Sequence, residues 1–118
     1  MATFPSKIPS AVPDFRLKVG DLEPSLVATL LYQDGSVPAL DTAVSISFRF
    51  ATTAGVELFS RAANLTNATT GAVSYAWQTG DTAIAGEYYG EFSIVWSAGR
   101  SQTYPSSGYL LILIEPKL

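Results

Sequence analysis

Carboxylates are the most numerous titratable groups in this chain, so any acid–base chemistry starts with them. Ten Asp and Glu stand beside seven Lys and Arg, with no His and no Cys. The missing His removes the commonest general base and the commonest metal ligand, and it leaves a serine nucleophile without its usual relay. Ser106-Ser107-Gly108 therefore reads as a loop rather than a nucleophile elbow. Glycoside hydrolysis needs two carboxylates flanking one bond. Glu87 and Glu91 fall on one face of a long strand, but four residues of strand separate them by roughly 13 Å. That is too far for a retaining pair, and solubility explains them better. Gly80-Asp81-Thr82 and Gly20-Asp21 each offer one carboxylate, where a calcium loop wants several oxygen ligands. No glycine-rich loop opens onto a helix to cradle a phosphate. The expectation is a protein without enzymatic activity and with no metal or cofactor.

Binding chemistry rests on the aromatic residues. Trp77, Tyr88, Phe92 and Trp96 read most simply as core. A carbohydrate platform would use outward-facing rings, and Tyr89 and Tyr104 are the candidates for exposed aromatics. Asn64-Leu-Thr66 and Asn67-Ala-Thr69 match the N-glycosylation pattern but read as chance matches in a Thr-rich loop. Charged residues make up 14% of the chain and its net charge is −3, against about 25% charged in an average domain. A nucleic-acid surface would need a basic patch, so nucleic acid is not an expected partner. No run approaches ~18 apolar residues, so no membrane-spanning helix is expected. The first thirteen residues lack the apolar core of a signal peptide, which points to synthesis in the cytoplasm of the producing cell. Low charge with many Ser, Thr and Ala suits a protein that covers its surface with neighbours, although a neutral extracellular domain has the same composition.

The elements that must position these groups are strands. At 118 residues the chain fits one domain. Residues 1–13 carry Pro5, Pro9 and Pro13, which no helix tolerates; they form an extended arm. Phe4, Ile8 and Val12 are its apolar anchors, placed for assembly contacts with a neighbour or for lying along the arm's own domain. The folded domain then spans residues 14–118. Phe15, Leu17 and Val19 alternate with Arg16 and Lys18 as a first strand. Residues 25–32 are apolar on both faces except at Thr29, which fits a central strand or one whose outer face meets a partner. Asp34-Gly35 marks a sharp turn, residues 37–40 a short extended piece, and Asp41-Thr42 a polar break. Val44, Ile46, Phe48 and Phe50 make the most regular alternation, and Val73, Tyr75 and Trp77 another. Residues 60–70 hold a weak strand, residues 100–104 a polar edge strand, and residues 109–114 a continuous apolar strand expected inside a sheet.

The longest strand begins near Tyr88. Tyr88, Gly90, Phe92, Ile94 and Trp96 share one side, while Tyr89, Glu91, Ser93 and Val95 share the other. Tyr88 follows Gly86 by two residues, the order of the tyrosine corner in immunoglobulin-like sandwiches. Turns at short intervals and strand periodicity almost throughout predict an all-β, immunoglobulin-like antiparallel β-sandwich of seven to nine strands. A flattened barrel is the alternative. Phe48, Trp77, Tyr88, Phe92, Ile94 and Trp96 are the expected core, and residues 81–85 could form a short helical turn capped by Asp81.

With this layout in place, the chain resembles the N-terminal domain of the tailed-phage baseplate upper protein family. The matching features are Phe15-Arg-Leu-Lys-Val-Gly-Asp21, Leu26-Val-Ala-Thr-Leu30, Asp34-Gly35 and Tyr75-Ala-Trp77-Gln. They continue through Gly80-Asp-Thr82, Ala85-Gly86-Glu-Tyr88, Glu91-Phe92, Gly99-Arg100 and Tyr104-Pro105-Ser-Ser-Gly108-Tyr109. The resemblance implies an immunoglobulin-like virion structural protein located in the virion, at a baseplate, tail-adaptor, neck or capsid-surface position. Its partners would be other virion proteins, in multiple symmetric copies, with no catalytic residues. The alternative function is a small binding module that recognises carbohydrate or a host surface through exposed aromatics.

Overall fold

The computed structural model describes residues 13–97, 99–105 and 108–118. The anchors Phe4, Ile8 and Val12, and the pair Ser106-Ser107, lie outside the described residues. Among the described residues nine strands follow in order: β1 (Phe15–Lys18), β2 (Leu26–Thr29), β3 (Ser45–Thr52), β4 (Glu57–Ala62), β5 (Asn64–Asn67), β6 (Ala72–Tyr75), β7 (Gly86–Ser97), β8 (Arg100–Tyr104) and β9 (Leu110–Glu115). They form two packed sheets, the immunoglobulin-like sandwich that the periodicity predicts.

The larger sheet has the order β1-β9-β7-β3-β4, with β8 also on β7. Strand β7 is long enough to hold two strands end to end along one side. Strand β9 pairs with its first half, from Gly86 to Gly90, and β8 with its second, from Phe92 to Ser97. Pro105, which has no N–H to give a ladder, sits in the break between them. The smaller sheet is β2-β6-β5. Every pairing is antiparallel except β1 with β9. The entry into that parallel pair is pinned by Asp14: its N–H donates to Leu111 O, and its Oδ2 accepts from Leu111 N–H, both at 2.8 Å.

Alternation dictates which side chains meet between the sheets. Phe48 and Phe50 of β3, Phe92 and Ile94 of β7, Val73 and Tyr75 of β6 and Ile112 of β9 are all buried. Phe48 lies 4.9 Å from Tyr75 and 5.1 Å from Phe92 between ring centroids, and Phe50 stacks on Tyr88 at 4.7 Å. Gly90 belongs to this inward-facing row, and its missing side chain is what admits the neighbours. A Cβ there would stand 2.8 Å from Phe48 Cε1 and 2.9 Å from Ile112 Cδ1. The tyrosine corner is formed: the buried Tyr88 hydroxyl donates to Ile84 O at 2.6 Å.

Three expectations are corrected, and one open alternative is decided. Trp96 is only partly buried, packed against the rim of the core: the β7–β8 register shifts between Val95 and Ser97, and its Nε1 donates to Ala39 O at 3.0 Å. Residues 81–85 form turns rather than a helical turn. The short 3₁₀ turn lies instead at Leu40–Thr42, across the expected polar break. Of the two readings of residues 25–32, the strand covered on both faces is the one excluded: Val27 is exposed, and among the described residues β2 is an edge of the smaller sheet. Tyr104 is buried, 2% exposed, rather than an exposed aromatic. Its register partner on β7 is Phe92, which points inward, so Tyr104 must do the same.

Candidate functional site

At one end of the β3–β7 pair the outward-facing residues are small. Ser45 and Ser47 of β3 and Ser93 of β7 alternate with the core residues. The relief changes where β3 turns into β4. Ala51 pairs with Tyr89, and one step along Arg49 pairs with Glu91. A methyl group beside a tyrosine leaves a hollow, and the hairpin turn at residues 51–55 walls it. That turn is held by Gly55 N–H donating to Thr52 O at 2.9 Å and Val56 N–H to Thr52 Oγ1 at 3.1 Å. Gly55 takes φ +89, a conformation side chains rarely adopt. The result is an open groove of about 630 Å³ lined by Arg49, Glu57, Tyr89, Glu91 and Tyr109.

Two chemical features meet there. Tyr89 stacks on Tyr109, the residue before β9, with ring centroids 4.8 Å apart and planes 23° apart. Cross-strand diagonals lie within reach of aromatic rings, and Tyr109 is the diagonal neighbour of Tyr89, whose direct partner is Leu111. Beside the rings, Arg49 Nε lies 3.0 Å from Glu57 Oε1 and its Nη1 lies 3.6 Å from Glu91 Oε1. Arg49 and Glu57 are half exposed, so these pairs add little to stability. They set donors and acceptors in one row, with both carboxylates leaning on a single cation.

A second polar constellation closes the open end of the sandwich. Arg61 of β4 donates from Nη1 to Asp81 Oδ1 at 2.6 Å and to the Tyr75 hydroxyl at 2.8 Å. The Tyr75 hydroxyl donates in turn to Asp81 Oδ2 at 2.6 Å, and Gln78 N–H donates to the same oxygen at 2.8 Å. The guanidinium also lies over the Phe59 ring, 4.2 Å from its centroid. Burial, with the Asp81 bond added, pushes the Tyr75 hydroxyl up to about 12. Both Asp81 oxygens, the Tyr75 hydroxyl and Arg61 Nη1 are engaged with one another, so the cluster clasps the two sheets together.

The residues singled out from sequence are thus dispersed. Tyr89 is in the groove and partly buried. Tyr104 is in the core, its hydroxyl pushed up to about 12 by burial and then by the neighbouring Tyr32. Glu91 faces Arg49 while Glu87 stands opposite Leu113, so they share no centre. Asp81 is spent in the clasp, and Asp21 pairs with Lys117 at 3.2 Å. Among the described residues no group of three or more His, Cys, Asp or Glu could hold a metal ion. No helix among them is long and apolar enough to cross a membrane. The sequence reading missed Arg49, Glu57 and Tyr109. The same-face spacing of Tyr89 and Glu91 was the available signal, but the register of β3 and β9 was needed to bring the others beside them.

No family model and no curated protein matches the chain. Its fold is similar to that of CopC from Methylosinus trichosporium OB3b, with a TM-score of 0.51 over 93% of this chain and 89% of that one, at 14% sequence identity. At such low identity the likeness is one of fold alone. The virion role expected from the baseplate resemblance is corrected by these comparisons. The fold is shared with CopC, and nothing points to a phage virion component. The baseplate, tail-adaptor, neck and capsid-surface positions fall with it.

Proposed function

We propose that this domain is a non-catalytic recognition module that binds a neutral polyhydroxylated ligand, a sugar ring or short glycan, in the groove on its larger sheet. One observation carries the reading: the Tyr89–Tyr109 stack stands directly beside the Arg49, Glu57 and Glu91 row. A sugar presents an apolar C–H face edged by hydroxyls that both donate and accept. Tyrosine offers a large apolar surface with a polar tip, and the row offers guanidinium donors next to carboxylate acceptors. Because Arg49 offsets one of its two carboxylates, the site suits a neutral ligand better than an anion. Few polar groups convergent on an apolar surface are the usual makeup of a ligand site.

The experiment is an NMR titration of the isotope-labelled domain with a panel of neutral oligosaccharides. Saturable shifts of the Ala51, Gly55 and Glu91 amides are expected with at least one member. Tyr89→Ala should weaken that binding about tenfold, the order expected for one stacking ring, with thermal stability nearly unchanged. A panel without saturable shifts would sink the reading, as would a Tyr89→Ala variant that binds like the wild type.

A further inference from the structure

Among the described residues, strand β2 is an edge whose outward backbone groups are unspent. Leu30 N–H donates to Gly71 O at 2.8 Å, which continues the β2–β6 ladder in which Leu26 pairs with Tyr75 and Ala28 with Val73. In an antiparallel ladder hydrogen-bonded pairs alternate with non-bonded ones. The N–H and C=O of Val27 and Thr29 therefore point away from β6, and they have no partner among the described residues. Their side chains lie on the outer face of the sheet, where Val27 is 64% exposed.

Natural sheets guard such edges with charge, proline, bulges or brevity, and the other edges of this sandwich follow the rule. Strand β1 carries Arg16 and Lys18. Strand β4 carries Glu57 and Arg61 and a register shift. Strand β8 begins at Arg100 and ends against Pro105. Strand β5 is four residues long with a register shift of its own and an Asn at each end. Strand β2 is as short, but it has a regular register and no charged residue lies between positions 25 and 33.

We infer that β2 is a homotypic docking edge at which a second copy of this chain pairs antiparallel, joining two three-stranded sheets into one of six. The geometry is self-complementary. With Ala28 on the two-fold axis, Val27 faces Thr29 of the second copy and Thr29 faces Val27 of the second copy. Each such pair exchanges both of its backbone hydrogen bonds. Val against Thr is a β-branched cross-strand pair on the outer face. A two-fold axis sets every charge near it against its own copy, and this stretch has none to repel. An uncharged strand likewise offers no handle for selecting a foreign partner. The interface is small, so the dimer is a weak, concentration-dependent one.

Sedimentation of the full chain up to about 1 mM, with amide exchange followed by NMR at both ends of the range, tests this. The expected result is a monomer–dimer equilibrium in which the Val27 and Thr29 amides exchange more slowly as concentration rises. Thr29→Pro removes the outward N–H without touching the β2–β6 ladder, and proline is tolerated on an edge strand. It should weaken dimerisation by about tenfold or more. Val27→Lys, at an exposed site that cannot disturb the core, should do the same and carries the test if the proline variant is unstable. Thr66→Lys on β5 should leave the equilibrium unchanged. A monomer throughout the range overturns the inference, and so does a dimer that survives Val27→Lys or is abolished by Thr66→Lys.

Discussion

Replacing Asp81 by alanine deprives three donors of one carboxylate. Arg61 and the Tyr75 hydroxyl each reach it at 2.6 Å and Gln78 N–H at 2.8 Å. The Asp81 side chain is 3% exposed. The three donors fare differently when it goes. The Gln78 amide lies at the surface and rehydrates. Arg61 is over a third exposed and keeps the Phe59 ring and the Tyr75 oxygen, so its share of the ion pair is discounted for solvent screening. Tyr75 is 1% exposed, and its proton has no other acceptor among the described residues. A hydrogen bond to a charged group contributes ~1.5–3 kcal/mol net, and an unsatisfied buried hydroxyl costs ~1–3 kcal/mol. The two combine to an expected loss of about 3–5 kcal/mol, out of a total stability of roughly 5–15 kcal/mol. Urea unfolding followed by tryptophan fluorescence reads this as a lower midpoint at unchanged slope. Adding Tyr75→Phe to the Asp81→Ala variant removes the orphaned proton, so the double variant should be more stable than the sum of the single losses predicts. A loss below about 1 kcal/mol for Asp81→Ala, or strictly additive losses, would refute the clasp.

Two further outcomes follow from the core. Gly90→Ala should destabilise by about 1–3 kcal/mol, because Ile112 Cδ1 can swing aside but the Phe48 ring is hemmed in by its aromatic neighbours; a melting temperature equal to wild type would count against this packing. In alkaline titration Tyr75 and Tyr104 should ionise at about 12 and Tyr88 above its usual value. Since these folded-state values are raised, the stability they confer is intact below pH 10 and lost as pH rises through about 12; phenolate absorbance rising in one step near pH 10, with no loss of fold, would contradict it.

What the sequence disclosed was local, and what it concealed was register. The tyrosine corner spans only Ile84 to Tyr88, so the order of Gly86 and Tyr88 sufficed to find it. The phase of β7 is written in one strand, and it placed Tyr89 outward and Phe92 inward. Tyr104 was misplaced because the phase of β8 depends on its pairing with β7, and that pairing shifts near Trp96. Residues 25–32 fit a central strand as well as one whose outer face meets a partner, because Val27 is as apolar as its buried neighbours. Nothing local separates an unguarded edge from a covered strand. Asp81 looked like a helix cap because its true donors, Arg61 and Tyr75, come from two other strands. The groove was half legible for the same reason: Tyr89 could be read, whereas Arg49, Glu57 and Tyr109 reach it only through the pairing of β3, β4 and β9.

The position of the groove follows from how the core is filled. Large rings crowd the inner face of the larger sheet, and Gly90 supplies the space that Phe48 and Ile112 take up. The outer face has no such demand, and along Ser45, Ser47 and Ser93 it stays shallow. Depth arises where bulky outward side chains stand beside a small one, as where Arg49 and Tyr89 flank Ala51. The adjoining wall is the β3–β4 hairpin. At its far end the same strand β4 is anchored by Arg61 to Asp81, on the connection that leads from the other sheet into β7. Strand β4 therefore does two jobs along its length: an exposed polar end that shapes the groove, and a clasped end that holds the sandwich shut. Substitutions at Glu57 and at Arg61 act on these ends separately, the first on the surface chemistry and the second on the fold.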